Sequence, residues 1–484
     1  MIFFPVVTVL YFALQHRFRW ILLLLSSCYF YMAFVPKYIL ILFAVILIDY
    51  FMGLAIARES NLQRKKAFLL ISIVANIGIL FVFKYFNFFN ANFTALAEMI
   101  GWNYPIKHLA LILPIGLSFH TFQSLSYIIE VYRGNYPAER RLGIYGLYVL
   151  FFPQLVAGPI ERPQHILPQL HIEQRFDFTR VASGLRLMLW GLFKKIVIAD
   201  NLAVVVSQVY DYPSQFAGAH FIVATVAFSI QLFCDFSGYS DIAIGSARVL
   251  GIRLMQNFNR PYSAPSITEF WKRWHISLTS WFRDYVYLPL ARFKVTPIWL
   301  YAATIIVFTL SGLWHGANWT FVVWGLYHGI YMTVSLATRR IRARIVKLLH
   351  LNAWPRLHRA IRVATTFSLV SISFIFFRAT SLSDAWYMVS HLSEGLMATF
   401  GSLFNPLNLS GFIESLGISP FTFLQVLIAV ALLTTVYTLK AKTTAFLRFD
   451  AAPPWVRWSV YNALIMWIIF FGYFGEQPFI YFQF

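Results

Sequence analysis

A chain of 484 residues in which 59% are hydrophobic and only 12% charged cannot cover a water-facing surface, because soluble domains carry about 25% charged residues. Its mean hydropathy of +0.65 therefore excludes a soluble globular fold. The net charge of +20, from 39 Lys+Arg against 19 Asp+Glu, would suggest nucleic acid in a soluble protein; here the basic residues fall in short loops, the signature of membrane orientation and anionic headgroups.

The expected class is an all-α, polytopic integral membrane protein, since lipid leaves backbone polar groups only helices or closed barrels, and alternating ten-residue strands are absent. The opening MIFFPVVTVLYFAL has no basic n-region and no small-residue cleavage site, so it reads as a retained first membrane segment. Four basic clusters, at 16–19, 58–66, 339–362 and 440–457, are expected in the cytoplasm. That placement requires crossings near 1–14, 20–35, 38–57, 67–89, 319–338, 363–378, 423–439 and 459–475, with both termini outside. Runs such as 67–84 and 423–438 are long enough, or nearly so, to span a hydrocarbon core of about 30 Å. The stretch 379–422 becomes an extracytoplasmic loop. Cys28 and Cys234 sit in apolar runs and offer neither a disulfide framework nor zinc spacing.

Between 90 and 318 the pattern is less regular. Apolar segments at about 108–129, 144–158, 184–199 and 216–234 are interrupted by Pro, Gly and charge, as in FFPQLVAGPIERPQ (151–164). Irregular backbone at membrane depth survives only when buried in protein or lining a cavity, so re-entrant pieces and the working site are expected here. With no internal repeat and no long linker, 1–484 reads as a single domain.

Four stretches carry residues able to do chemistry. His120, in LPIGLSFHTFQSLSYIIEVYRG, reads first as a packed residue or a polar bridge between helices. Asp235 and Asp241, in FCDFSGYSDIAIG, lack a His or Cys companion at ligand spacing, so capping or a salt bridge to an Arg is the expectation, and no metal site is. In SAPSITEFWKRWHISLTSWFRDY (263–285), Ser266 and Glu269 match a capping box that starts a helix. On that helix Trp271, Trp274, His275, Leu278, Phe282 and Tyr285 share one face, with Lys272, Arg273, Ser280, Arg283 and Asp284 on the flanks and opposite side. His275 is then either a packed bystander of an interfacial helix or a functional group.

The last stretch is SGLWHGANWTFVVWGLYHG (311–329). His315 lies among Trp314, Gly316, Asn318 and Trp319, at the extracytoplasmic end of the crossing towards Arg339; a histidine at membrane depth is costly and points to function. Gly316 permits close approach of a backbone or a substrate. On an unbroken helix His328 points about 220° away from His315, so the two cannot share a site and His328 reads as packing. There is no phosphate-loop, dinucleotide, zincin or serine-hydrolase motif.

Together these segments resemble the bacterial membrane-bound O-acyltransferase family, in the branch of the alginate O-acetylation membrane protein and peptidoglycan O-acetyltransferase. The resemblance rests on 111–134, LVAGPIERP (155–163), QLFCDFSGYSDIAIG (231–245), 257–290, 311–329 and FFRATSLSDAW (376–386). It implies a ring of roughly ten or more transmembrane helices with re-entrant segments around a central tunnel. It also implies two functional histidines, His315 in WHG as the catalytic one and His275 in RWHISL as its upstream partner. Beside them, Trp274, Arg283, Trp314 and Asn318 are candidate substrate-binding residues. The implied reaction moves an acyl group, most simply acetyl, from a cytoplasmic thioester donor such as acetyl-CoA, used as substrate with no tightly bound cofactor. The acceptor would be an extracytoplasmic polysaccharide such as an alginate-like polymer or peptidoglycan, reached through a separate extracytoplasmic acetyltransferase or esterase-like partner, and the location the bacterial cytoplasmic (inner) membrane. The segment after Leu290, ARFKVTP, lacks the Gly-rich turn of the alginate-type protein and leaves the acceptor open. The competing class is a transporter or flippase of an envelope precursor, against which stands the absence of repeated halves.

Overall fold

The computed structural model describes residues 2–441, 452–475, 477 and 479–480. Residues 442–451 of the fourth basic cluster, and the C-terminal Phe484 expected outside, lie beyond the described residues. Among those described there is no strand. Six helices of the described residues are long and apolar enough to cross a membrane: Pro36–Arg58, Leu62–Met99, Ala219–Val249, Pro297–His315, Pro355–Arg378 and Pro420–Leu439. Four of them contain expected crossings, and the helices Phe3–Ala13, His16–Met32, Trp319–Ala337 and Pro454–Phe471 overlap the other four.

Two of the six correct the sequence reading. Ala219–Val249 runs unbroken for 31 residues where an interruption was expected. Its Asp235 is neutralised by Lys195, Nζ to Oδ1 at 2.6 Å, so the charge does not force the helix open. The salt bridge is thus present, to Lys rather than Arg. Pro297–His315 was folded into the irregular middle; Pro297 instead begins the helix, where its missing N–H costs nothing, and the Thr296 side chain caps Trp299 N at 3.3 Å. The 379–422 stretch is not structureless either, since it forms the short helices Leu382–Ser390, Leu396–Ser402 and Pro406–Ser415.

The chain divides into two compact units, Met1–Met188 with Ser240–Gln256, and Leu189–Tyr239 with Asn257–Phe484. In the first, the helices Ile39–Arg58, Leu62–Leu80, Leu117–Tyr132 and Leu142–Leu150 pack around buried polar groups. Asp49 accepts from Ser72 Oγ and from Asn76 Nδ2 at 3.0 Å. His120 donates from Nδ1 to Val149 O at 3.2 Å, a polar bridge between helices as expected. Residues 151–158 form successive turns and are all buried, with Ser27 Oγ accepting from Phe152 N at 3.0 Å. Irregular backbone is here satisfied by protein.

Glu161 closes this region. Fully buried, it accepts from Met255 N at 2.6 Å and holds His165 Nδ1 at 2.6 Å. That hydrogen bond raises the His165 pKa above its ordinary 6.5. A raised histidine contributes stability that is complete below the unfolded value and lost as pH rises through the folded one. Thermal melts at pH 6 and pH 8.5 should show a modest fall on the alkaline side, smaller in His165→Gln; an equal fall in both proteins would remove this pair as its source.

Candidate active site

The site is built in the second unit from three pieces of chain. The first begins as the sequence predicts, with Ser266 Oγ accepting from Glu269 N at 3.2 Å to start the helix Ile267–Trp271. The expected single amphipathic helix then breaks. His275 adopts φ 42°, and a second helix, Ile276–Phe282, starts after it and passes into a π-helical turn, Arg283–Tyr287. A non-glycine residue in this region costs on the order of 1–3 kcal/mol and persists only where its surroundings impose it. Here the 257–259 backbone imposes it: Asn259 N donates to Arg273 O and Ile276 N to Asn257 O, both at 2.9 Å.

Asn257 also decides the tautomer of His275. Its Oδ1 accepts from Ser277 N at 3.3 Å and from Ser277 Oγ at 3.0 Å. A backbone N–H can only donate, so that atom is the oxygen, and His275 Nδ1, 3.1 Å away, must carry the proton. Nε2 is then the basic nitrogen. The imidazole is fully buried, with the Phe236 ring centroid 4.6 Å from its own.

His315 is the last residue of Pro297–His315, and its ring packs edge-on against Trp314 at 5.0 Å, Trp324 at 5.1 Å and Phe377 at 5.2 Å. Trp314 is in turn 6.1 Å from the His275 ring. One indole thus contacts both histidines, which the sequence separates by 40 positions. Glycines make this possible. A Cβ on Gly312 would lie 2.2 Å from Phe321 O and one on Gly325 2.3 Å from Phe308 O, so the helices Pro297–His315 and Trp319–Ala337 meet backbone to backbone. Gly316 likewise admits the Phe321 ring, at 2.2 Å from its Cβ position.

The other expected residues divide. Trp314 joins the histidines, while Trp274 is buried in packing, stacked on Phe270 at 5.4 Å and edge-on to Phe258 at 5.2 Å. Asn318 caps Trp319–Ala337, accepting from Thr320 N at 3.1 Å. Arg283 is exposed and pairs with Asp284 at 2.8 Å. His328 packs against Trp271 at 4.9 Å and bonds Ser373 Oγ through Nε2 at 2.9 Å, a structural setting. No group of three His, Cys, Asp or Glu able to hold a metal occurs among the described residues.

Two features escaped the sequence reading. Asn257 lies 18 residues before His275 with nothing in its spacing to mark it. The buried Lys195, bonded to Asp200 at 2.8 Å and Asp235 at 2.6 Å, was legible as a lysine pair inside the apolar run GLFKKIVIAD.

The family model of the membrane-bound O-acyltransferases matches residues 144–381, which contain both histidines. A protein named probable alginate O-acetylase AlgI from Azotobacter vinelandii is 37% identical over 388 residues, 80% of this chain and 75% of that one. The peptidoglycan O-acetyltransferase of Helicobacter pylori is 35% identical over 75% of this chain and 71% of its own. The teichoic acid D-alanyltransferase of Bacillus subtilis is 27% identical over 54% and 68%. Similarity at this level over most of the length, carried by a helical multi-pass membrane architecture, means that this chain belongs to the membrane-bound O-acyltransferase family and is an O-acyltransferase.

Proposed function

We propose that the chain transfers an acyl group, most simply acetyl, from a thioester donor such as acetyl-CoA on the cytoplasmic side to a hydroxyl reached from outside. The product serves O-acetylation of an extracytoplasmic polysaccharide, alginate-like or peptidoglycan. The observation that carries this reading is the contact of Trp314 with both His275 and His315. A hydroxyl is a poor nucleophile until a base takes its proton, and imidazole, with an ordinary pKa of about 6.5, suits that task. His315 takes the hydroxyl proton as the oxygen attacks the thioester carbonyl; the C–O bond forms, the C–S bond breaks, and the departing sulfur leaves as the thiol with that proton. His275, protonated on Nδ1, presents Nε2 as an acceptor, so its part is to share the proton rather than to donate to the carbonyl. A path through the membrane beside these two rings belongs to the same reading.

The decisive measurement is free thiol released from acetyl-CoA by purified protein in liposomes. Turnover is expected; none with any hydroxyl acceptor would leave the transporter reading standing. A polymer too large to enter between helices needs a carrier, so a separate extracytoplasmic acetyltransferase is expected to dock on the 379–422 segment, where Trp386, Phe404 and Leu407 are exposed. Full-rate polymer acetylation by this protein alone would remove the partner.

Orientation in the bacterial cytoplasmic membrane follows from the basic 339–362 segment. A single-cysteine variant, His350→Cys with Cys28 and Cys234 replaced, should resist a membrane-impermeant thiol reagent in intact cells and react after lysis. Strong labelling from outside would invert the topology.

A further inference from the structure

In the first unit a cavity of about 340 Å³ opens where the start of the His16–Met32 helix meets Arg141 and the end of the Pro163–His171 helix. Five basic side chains line it, His16, Arg17, Arg19, Arg141 and His171, and no acidic one does. Glu139, beside this lining, is already engaged, its carboxylate accepting from Arg141 N at 2.9 Å and bonding His171 Nε2 at 2.7 Å.

Retention of positive loops on one membrane face explains basic residues in general. It does not explain three features of this cavity. Arg19 is only 9% exposed, tied through Nε to Leu14 O at 3.0 Å and through Nη1 to Gln174 O, over the Tyr11 ring at 5.0 Å. Two of its five donors are so used, and no acidic side chain pairs with it, with Arg17 or with Arg141 among the described residues. Secondly, the His16–Met32 helix opens with HRFR, no acidic residue in its first turn and no side-chain cap. A helix start already bears partial positive charge, so cations there are unfavourable unless an anion answers them. Thirdly, Arg141 and His171 come from positions more than a hundred residues away to the same cavity. Guanidinium groups lining one cavity beside a helix start supply the charge and the paired donors that a phosphate takes.

We propose that this cavity binds a phosphate group at the membrane face, carried by an anionic lipid headgroup or by a soluble phosphate-bearing metabolite. The inference does not depend on the acyl-transfer reading. A ligand that binds only the folded state raises the melting temperature by mass action, so the test is thermal melting of the full chain in an uncharged detergent with three probes: dihexanoylphosphatidylglycerol, dihexanoylphosphatidylcholine and inorganic pyrophosphate. The Arg17→Gln/Arg141→Gln double variant changes two exposed side chains and spares the buried Arg19, so its melt without probe should match that of the parent. The glycerol lipid, pyrophosphate or both should raise the melting temperature of the parent by several degrees, with little shift in the double variant and little from the choline lipid. A response to the glycerol lipid alone identifies a headgroup, and a response to pyrophosphate alone a soluble ligand. No shift from either, or the same shift in the double variant, would overturn the proposal.

Discussion

His315→Ala is expected to abolish acyl transfer, with a loss of about 10²- to 10⁴-fold or more, the range for removal of a general base, while the protein still inserts and folds. His315 is the last residue of its helix and its ring lies edge-on to Trp314, Trp324 and Phe377, so alanine removes a base without breaking a helix. His275→Ala should also be severe but less complete, because this residue shares the proton and is not the base that takes it; the variant also loses the bond that ties the strained turn to Asn257. His328→Ala should act through stability, by taking the partner of Ser373. The three variants are compared by thiol release at matched membrane abundance, with the melting temperature of each measured alongside. Near-normal turnover in His315→Ala would return this residue to packing and move the base to His275.

The parts of this site that sequence could reveal are those set by local geometry. The Ser266–Glu269 cap is a contact three residues apart, and it is present. The break at His275 depends on backbone at 257–259, whose bonds to residues 273 and 276 outweigh continuation of the helix, and no local period registers such a competitor. The same holds for Ala219–Val249, where Asp235 looked like an interruption because its counter-charge, Lys195, is forty residues earlier. The close neighbour that Gly316 admits is the Phe321 ring, a contact across a turn that no local pattern announces. The spacing of Gly325 and Gly329, four apart on Trp319–Ala337, was a readable sign of close helix packing in a membrane. That sign points to a partner only once the adjoining helix, Pro297–His315, is known.

Gly312 and Gly325 therefore carry the second large effect. A β-carbon at either would meet a backbone oxygen of the facing helix at 2.2 or 2.3 Å, and backbone cannot rotate away as a side chain can. The two helices must separate or tilt, and overpacking of this kind costs about 1–3 kcal/mol, occasionally more. Trp324, the neighbour of Gly325, packs on His315 at 5.1 Å, and Gly312 lies three residues before His315, so separation displaces the base from its aromatic enclosure. Gly312→Ala and Gly325→Ala should each lower the melting temperature and reduce thiol release by more than the loss of folded protein accounts for. Gly411→Ala is the control, because a Cβ there meets nothing within 4 Å in the helix Pro406–Ser415; alanine is also the better helix former by about 1 kcal/mol, so its melt should be unchanged or slightly higher. Wild-type melting and turnover in both Gly312→Ala and Gly325→Ala would show that this helix pair yields freely, and that the contact does not position His315.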